Sequence, residues 1–293
     1  MATDLVSAGA NVVALPRSSG ALRDEDLATI GDAARTLERS TLVGRLSGLA
    51  GRPLELLGRS LPAPAQEVVS RATERAMKAA LRAALTTLSK GEGATRFRGL
   101  DTVAAATSGA LGGALGLISL PFELPVSTVL ILRTIAGIAR ENGGDLSDPQ
   151  TGLACLEVFA LGSRTEADDL ASGGYFAVRA ALARSISQAG KLAAAQGLAD
   201  KSAPALVRFT AQIASRFGIV VSQKVAAGAV PILGALGGAA VNAAFLEHFR
   251  AVAQAHFAVR RLERTYGAEA VRAAYLMAKS EGDRSASETV PAT

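Results

Sequence analysis

The chain has 293 residues, enough for one large domain or two ordinary ones and enough to bury a substantial core. Aromatic residues make up only 4%, with no Trp, while Ala and Leu dominate, and no stretch sustains an alternation of apolar and polar residues. Strong helix formers without strand formers predict an all-α fold, a multi-helix globular bundle. The net charge of +5 is spread as +4 over residues 1–100, −4 over 101–200 and +5 over 201–293. Dispersed charge and missing aromatic stacking platforms argue against nucleic acid as a partner.

Cys155 is the single cysteine, so no internal disulfide can form. Its place in the apolar run Leu153-Ala154-Cys155-Leu156 predicts a buried, inert thiol in a reducing compartment. No basic residue precedes Arg17, which predicts no secretion signal and a cytoplasmic protein, at most peripheral on the cytoplasmic face of the membrane.

In chain order, residues 1–23 read as a mobile arm. A helix is predicted from Asp24 to about Leu49, with Asp24, Glu25 and Asp26 at the end where the helix dipole favours negative charge. Gly51, Pro53, Gly58, Pro62 and Pro64 then break the chain, which predicts an N-terminal helical arm over 24–64 and a main body over 65–280. Residues 281–293 read as a disordered polar tail.

The next helix spans 65–90. Arg71, Arg75, Lys78 and Arg82 fall on one face, with Glu67 and Glu74 four residues before Arg71 and Lys78. The opposite face holds Val69, Ala72, Ala76, Ala79, Ala80 and Ala83. The basic face is either simply solvated or a surface for anionic lipid or an acidic partner.

Two stretches, Thr102–Phe122 and Val225–Leu246, contain no charged residue, and the string GALGGA occurs in both, at 109–114 and 234–239. Gly costs about 1 kcal/mol per helical position relative to Ala, so close backbone approach is expected to compensate. The pairs Gly109/Gly113, Gly112/Gly116 and Gly234/Gly238 are spaced by four, and with Gly237 they predict smooth grooves through which the two segments pack on each other. A buried hairpin is preferred over a membrane-embedded one. No Trp or Tyr belt flanks the segments, and Pro231, Asn242, Glu123 and Arg133 interrupt them or their continuations.

Pro121 and Pro125 predict a helix stop and restart, with the next helix over Val126 to about Arg140 and a stop at Asn142-Gly143-Gly144. Asp148 is the expected N-cap and Pro149 the first residue of a helix ending near Gly162. Further helices are predicted at 175–198, 204–217, 231–266 and 268–280.

These residues carry a resemblance. Pro121-Phe122-Glu123-Leu124-Pro125, Leu132-Arg133-Thr134-Ile135-Ala136-Gly137, Asp145-Leu146-Ser147-Asp148-Pro149, Leu156-Glu157-Val158-Phe159, Gly173-Gly174-Tyr175-Phe176, and Val230-Pro231 through Tyr266-Gly267 resemble the bacterial EcsC family over about residues 65–280. The resemblance implies work linked to a membrane, since the family takes its name from a protein encoded beside an ATP-binding-cassette (ABC) transporter pair. It implies no catalytic residue.

Neither a nucleophile elbow nor a phosphate loop is present, and no cofactor or metal site is expected. His248 and His256 lie about 80° apart around a helix, which does not make a zinc-ligating pair. Glu123, Arg133 and Glu157 are the charges most surrounded by apolar sequence. They predict a pinning ion pair, Glu123–Arg133 or Arg133–Glu157, or else a polar spot in a ligand pocket with Asn242, Glu247 and His248. Three functions follow in order of preference. The first is a non-enzymatic membrane-associated accessory protein engaging an ABC transporter or membrane lipid. The others are a soluble carrier of a lipid-like ligand and a hydrolase of unknown substrate.

Overall fold

The computed structural model describes residues 21–39, 41–45, 61–85, 119–163, 174–196, 204–228 and 237–288. Eight helices order these residues: α1 (Asp24–Arg39), α2 (Ala63–Ala83), α3 (Leu120–Glu141), α4 (Pro149–Leu161), α5 (Gly174–Gln196), α6 (Pro204–Gly228), α7 (Gly237–Tyr266) and α8 (Ala268–Glu288). The described residues include no strand, and the protein is an all-α bundle.

Helix α4 forms the axis. Every residue from Gly152 to Leu161 is buried, because α2, α3, α5, α6 and α7 all pack against it. A helix apolar on all sides has no solvent face to present, so it is driven to the centre. Its start is as predicted. The Asp148 side chain accepts from the Gln150 amide at 3.0 Å, and Pro149 occupies the first turn, where its missing N–H costs nothing. Phe159 of α4 meets Phe217 of α6 and Phe249 of α7 at ring-centroid distances of 5.0 and 5.2 Å, and Phe245 closes the cluster. These tilted and edge-on contacts concentrate aromatic packing where α4, α6 and α7 meet.

Around this axis α2 lies against α3 and α6, with Ala72, Ala76 and Ala80 fully buried. Helix α3 ends as predicted. Gly143, at φ +77°, donates to the Arg140 carbonyl, and Gly144 donates to the Ala139 carbonyl at 2.8 Å, a Schellman stop.

Three expectations are revised. Helix α3 begins at Leu120 and runs through Pro125 rather than restarting at Val126. Pro125 sits close enough to the N-terminus that its missing donor interrupts only the first turns. Helix α1 is not a separate arm, because Ile30, Ala33, Ala34 and Leu37 form a helical stripe buried against α7 and α8. Helix α8 continues to Glu288, eight residues into the expected tail; polar composition alone does not stop a helix, and Gly282 is a modest cost of about 1 kcal/mol. The expected N-terminal arm through Gly20, and Gly109, Gly112, Gly113, Gly116 and Gly234, lie outside the described residues. Gly237 and Gly238 open α7.

Polar contacts tie α1 to the helices around it. The Glu38 carboxylate accepts from the Tyr175 amide at 3.0 Å and from the Tyr275 hydroxyl at 3.0 Å, and it faces Lys279 Nζ at 3.3 Å. It therefore sits on the positive end of α5 while gripping α8. Gly174, at φ +45°, is required there, since a Cβ would lie 2.6 Å from the carboxylate. At the other end of α1, Asp26 accepts from Tyr266 at 2.6 Å and Arg23 at 2.9 Å. Glu38→Ala should remove the acceptor shared by the Tyr275 hydroxyl and the Tyr175 amide and lower stability by about 1–3 kcal/mol. Urea denaturation monitored by circular dichroism measures it, and an unchanged midpoint would show that the contact contributes nothing.

Candidate functional site

The predicted site residues separate into two buried polar clusters and an open groove. In the first cluster, Glu123 of α3 accepts from Lys224 Nζ of α6 at 2.9 Å and from Asn242 Nδ2 of α7 at 3.1 Å, both on the same carboxylate oxygen. Both partners of the ion pair are almost fully buried, with side-chain exposures of 11% and 8%. Burial pulls the Lys224 ammonium below its ordinary range, and the Glu123 charge opposes that shift. Lys224 also stands over the Phe245 ring at 5.1 Å.

A pinning pair is present, but with a different cation from the one expected. Arg133 is half-buried further along α3 and pairs with neither Glu123 nor Glu157 among the described residues. Ten residues along a helix amount to about 15 Å of rise, too far for two side chains on one helix to meet. Asn242 does join Glu123. Glu247 does not, because it is exposed on α7, where it faces Arg250 at 3.9 Å.

The second cluster surrounds Glu157, the one charge in α4. Its carboxylate lies 3.9 Å from His256 Nε2, beyond hydrogen-bond reach, and His256 Nδ1 lies 2.9 Å from the Tyr175 hydroxyl. Arg179 makes two bonds to Glu263, at 2.7 and 3.0 Å, and covers the Tyr175 ring. Desolvation pushes the Glu157 carboxyl up to about 7, while Arg179 and Arg260 act in the opposite direction. Desolvation also drives His256 well below its ordinary value, assisted by Arg260 and Arg179. The acid, the imidazole and the phenol thus favour their neutral forms together. Such a row has the makings of acid–base machinery, but His256 and Tyr175 are 0% and 1% exposed, so a substrate has no access to them.

His248, one helical face away, is also buried and bonds the Gly162 carbonyl at 2.7 Å; burial lowers it to about 4. Both histidines are packed, and they have separate partners. Cys155 is buried, with its thiol pushed up to about 12 by desolvation, an inert group as expected. Among the described residues no three His, Cys, Asp or Glu side chains come together as a metal site.

The open feature lies between α2 and α6. The groove there encloses about 870 Å³, within the size range of small-molecule sites, about 300–1,000 Å³. Val69, Leu81, Leu206 and Ala214 supply apolar surface, and Lys78 and Arg82 from the predicted basic face border it. Arg71 instead pairs with Glu67. Arg75 is exposed and does not line the groove. None of the residues expected to form a ligand pocket lines this groove.

A model of the EcsC protein family matches residues 25–262. The chain belongs to the EcsC protein family. No curated protein and no solved structure matches it. In this EcsC protein several residues that carry the resemblance do structural work. Asp148-Pro149 starts the axial helix, Gly174-Tyr175 receives Glu38, and Tyr266-Gly267 ends α7 at φ +90° and holds Asp26. Their match also begins inside α1, in keeping with α1 being part of the body.

Sequence reasoning missed Lys224, Tyr175, Arg179, Glu263 and Glu38. Lys224 had a signal, since it is the last charge before a 22-residue uncharged stretch. Tyr175 and Arg179 lie in the run Gly173 to Arg179 that carries the resemblance, but nothing in the sequence places Glu263, 84 residues on, beside Arg179.

The neutral preference of Glu157 makes stability depend on pH. Its folded value of about 7 lies above the ordinary 4.5, so the folded state holds the proton more firmly, and this contribution falls away as pH rises through about 7. His248 acts with the opposite sign, its contribution being lost as pH falls from 6.5 through about 4. His256 acts in the same sense as His248, and both are shared by the wild type and a Glu157→Gln variant, so the Glu157 contribution is the difference between the two proteins. Relative to Glu157→Gln, the wild type should lose about 1 kcal/mol of stability between pH 6.5 and 8. Melting curves across the range check it; equal slopes for both proteins would rule out Glu157 as the titrating group.

Proposed function

We propose that this EcsC protein is a non-enzymatic accessory protein of the membrane surface, seated by the N-terminal half of α3. The observation that carries the reading is the outer face of that helix. Phe122 and Val126 are 79% and 55% exposed, and the half-buried Val129 and Leu130 continue the same stripe at helical spacing. The one charge before Arg133 in this helix is Glu123, which points inward to Lys224 and Asn242. The ion pair therefore leaves an apolar strip unbroken by charge on a helix that is long and apolar enough to cross a membrane, with half of its most apolar stretch buried in the bundle.

A large exposed Phe beside an exposed Val has little to gain from water and fits the boundary between lipid headgroups and acyl chains. A membrane-embedded transporter subunit offers the same kind of apolar surface. No catalytic step is assigned, because the acid–base groups of the second cluster are sealed inside.

The test is flotation of the purified full chain with vesicles of phosphatidylethanolamine and phosphatidylglycerol. The wild type should float. Burying a Phe side chain is worth about 1.5–3 kcal/mol, so Phe122→Asp with Val126→Asp should reduce vesicle-bound protein at least about tenfold at an unchanged melting temperature. A wild type that stays at the bottom of the gradient, or a double variant that floats equally well, defeats the reading.

A further inference from the structure

We propose that the groove between α2 and α6 is a binding site for a single-chain amphiphile with an anionic head, such as a long-chain fatty acid carboxylate. The inference goes beyond membrane seating and rests on a different part of the molecule.

Five hydroxyls line the groove, which would ordinarily suggest a polar ligand. Four of the five have their protons already committed. Thr73 donates to the Val69 carbonyl at 2.7 Å, Thr210 to Leu206 at 2.7 Å, Ser222 to Gly218 at 2.8 Å and Ser215 to Gln212 at 2.9 Å. Helical hydroxyls that bond back onto their own turn expose methyl or methylene surface and lone pairs, and no free donor. Gln66 likewise donates to the Leu61 carbonyl at 2.6 Å. Ser70 and Gln223 are the uncharged donors left, few for a sugar or peptide, which needs many donors and acceptors matched at once. A hydrocarbon chain is well served, since Val69, Leu81 and Leu206 are buried along the walls and Val207 and Ile219 are large apolar side chains left 52% and 38% exposed at the groove.

Recognition of a head group then falls to the charged side chains. Lys78 and Arg82 stand one turn apart on α2, toward the negative end of its dipole. Lys78 has no ion-pair partner among the described residues; Glu74, one turn before it, does not engage it, although the i, i+4 spacing allows that. An ammonium left unpaired over an apolar groove is complementary to a carboxylate at the end of an alkyl chain. Glu74 lies on the same wall and disfavours an anion at that end, so the head is placed between Lys78 and Arg82. The chain then extends along the α6 wall past Ala211, which is exposed.

The experiment is titration calorimetry of the full chain with palmitate below its aggregation concentration. Hexadecanol is the comparison ligand, with the same chain and no charge. The wild type should bind palmitate with one site and hexadecanol at least tenfold more weakly. Lys78→Glu with Arg82→Glu should lower palmitate affinity at least tenfold and leave hexadecanol unchanged. Ala211→Trp, at an exposed position, should fill the groove and abolish both. Three results would overturn the site: no palmitate binding by the wild type, equal binding by the charge-reversed variant, or undiminished binding by a folded Ala211→Trp protein. Phe122 and Val126 take no part in these titrations. A protein that fails to bind palmitate but still floats with vesicles loses the groove and keeps the membrane seat, and the reverse outcome does the opposite.

Discussion

A helix with no face toward solvent is the constraint from which this fold is organised. Helix α4 is only 13 residues long, and five helices surround it. Its apolar side chains gain from burial wherever they point, at roughly 25 cal/mol per Å² of surface removed from water. Its single acid has no way out. A carboxylate sealed among Leu, Val and Phe would cost several kcal/mol to keep ionised, so the cheaper solution is to hold the proton. The neighbours conform to that choice. Burial favours the neutral forms of His256 and Tyr175, and Arg179, whose charge acts on Glu157, is matched by two bonds to Glu263.

Ion pairs away from the axis serve another end. Alanine-lined faces such as that of α2 are smooth, and smooth helices can slide past one another by a turn with little loss of contact. The polar junctions oppose such slippage. Glu123 fixes α3 against both α6 and α7, and Glu38 fixes α1 against α5 and α8. Desolvation offsets much of the Coulomb gain of a pair as buried as Glu123–Lys224, so its net contribution to stability is small. Loss of one partner is a different matter, because the other charge is then stranded. A pair of that kind marks one register as correct more than it strengthens the fold.

The parts legible in the sequence were those with local causes. Asp148-Pro149, Asn142-Gly143-Gly144 and Tyr266-Gly267 announced helix ends because caps and left-handed turns demand particular residues at particular places. The all-α class and the inert Cys155 followed from composition and from the apolar run around it. Pairing between distant helices was not legible. The apolar surroundings of Glu123 call for a partner, but its cation is 101 residues away, and local spacing offers only Arg133. Pro125 misled because prolines generally end helices, although one near the start is tolerated. The groove was half visible. Lys78 and Arg82 stood out on their helix face, but nothing in the sequence placed α6 opposite them.

The two open surfaces differ in what they leave for a partner to do. On α3, the buried ion pair removes charge from the outer face, so the strip from Phe122 onward distinguishes only apolar from polar. Such a surface suits a broad environment and selects no particular molecule. Between α2 and α6 the arrangement is reversed. Four of the five hydroxyls are silenced by their own backbone, and the charges sit on one wall. That combination imposes an orientation on whatever enters, with the head at the cations and the chain away from them. A protein with the first surface alone would adhere to a membrane, and one with the second alone would carry a ligand. Both surfaces lie on one bundle, so the proposed oriented amphiphile site and the proposed apolar membrane seat make opposite demands on the same body.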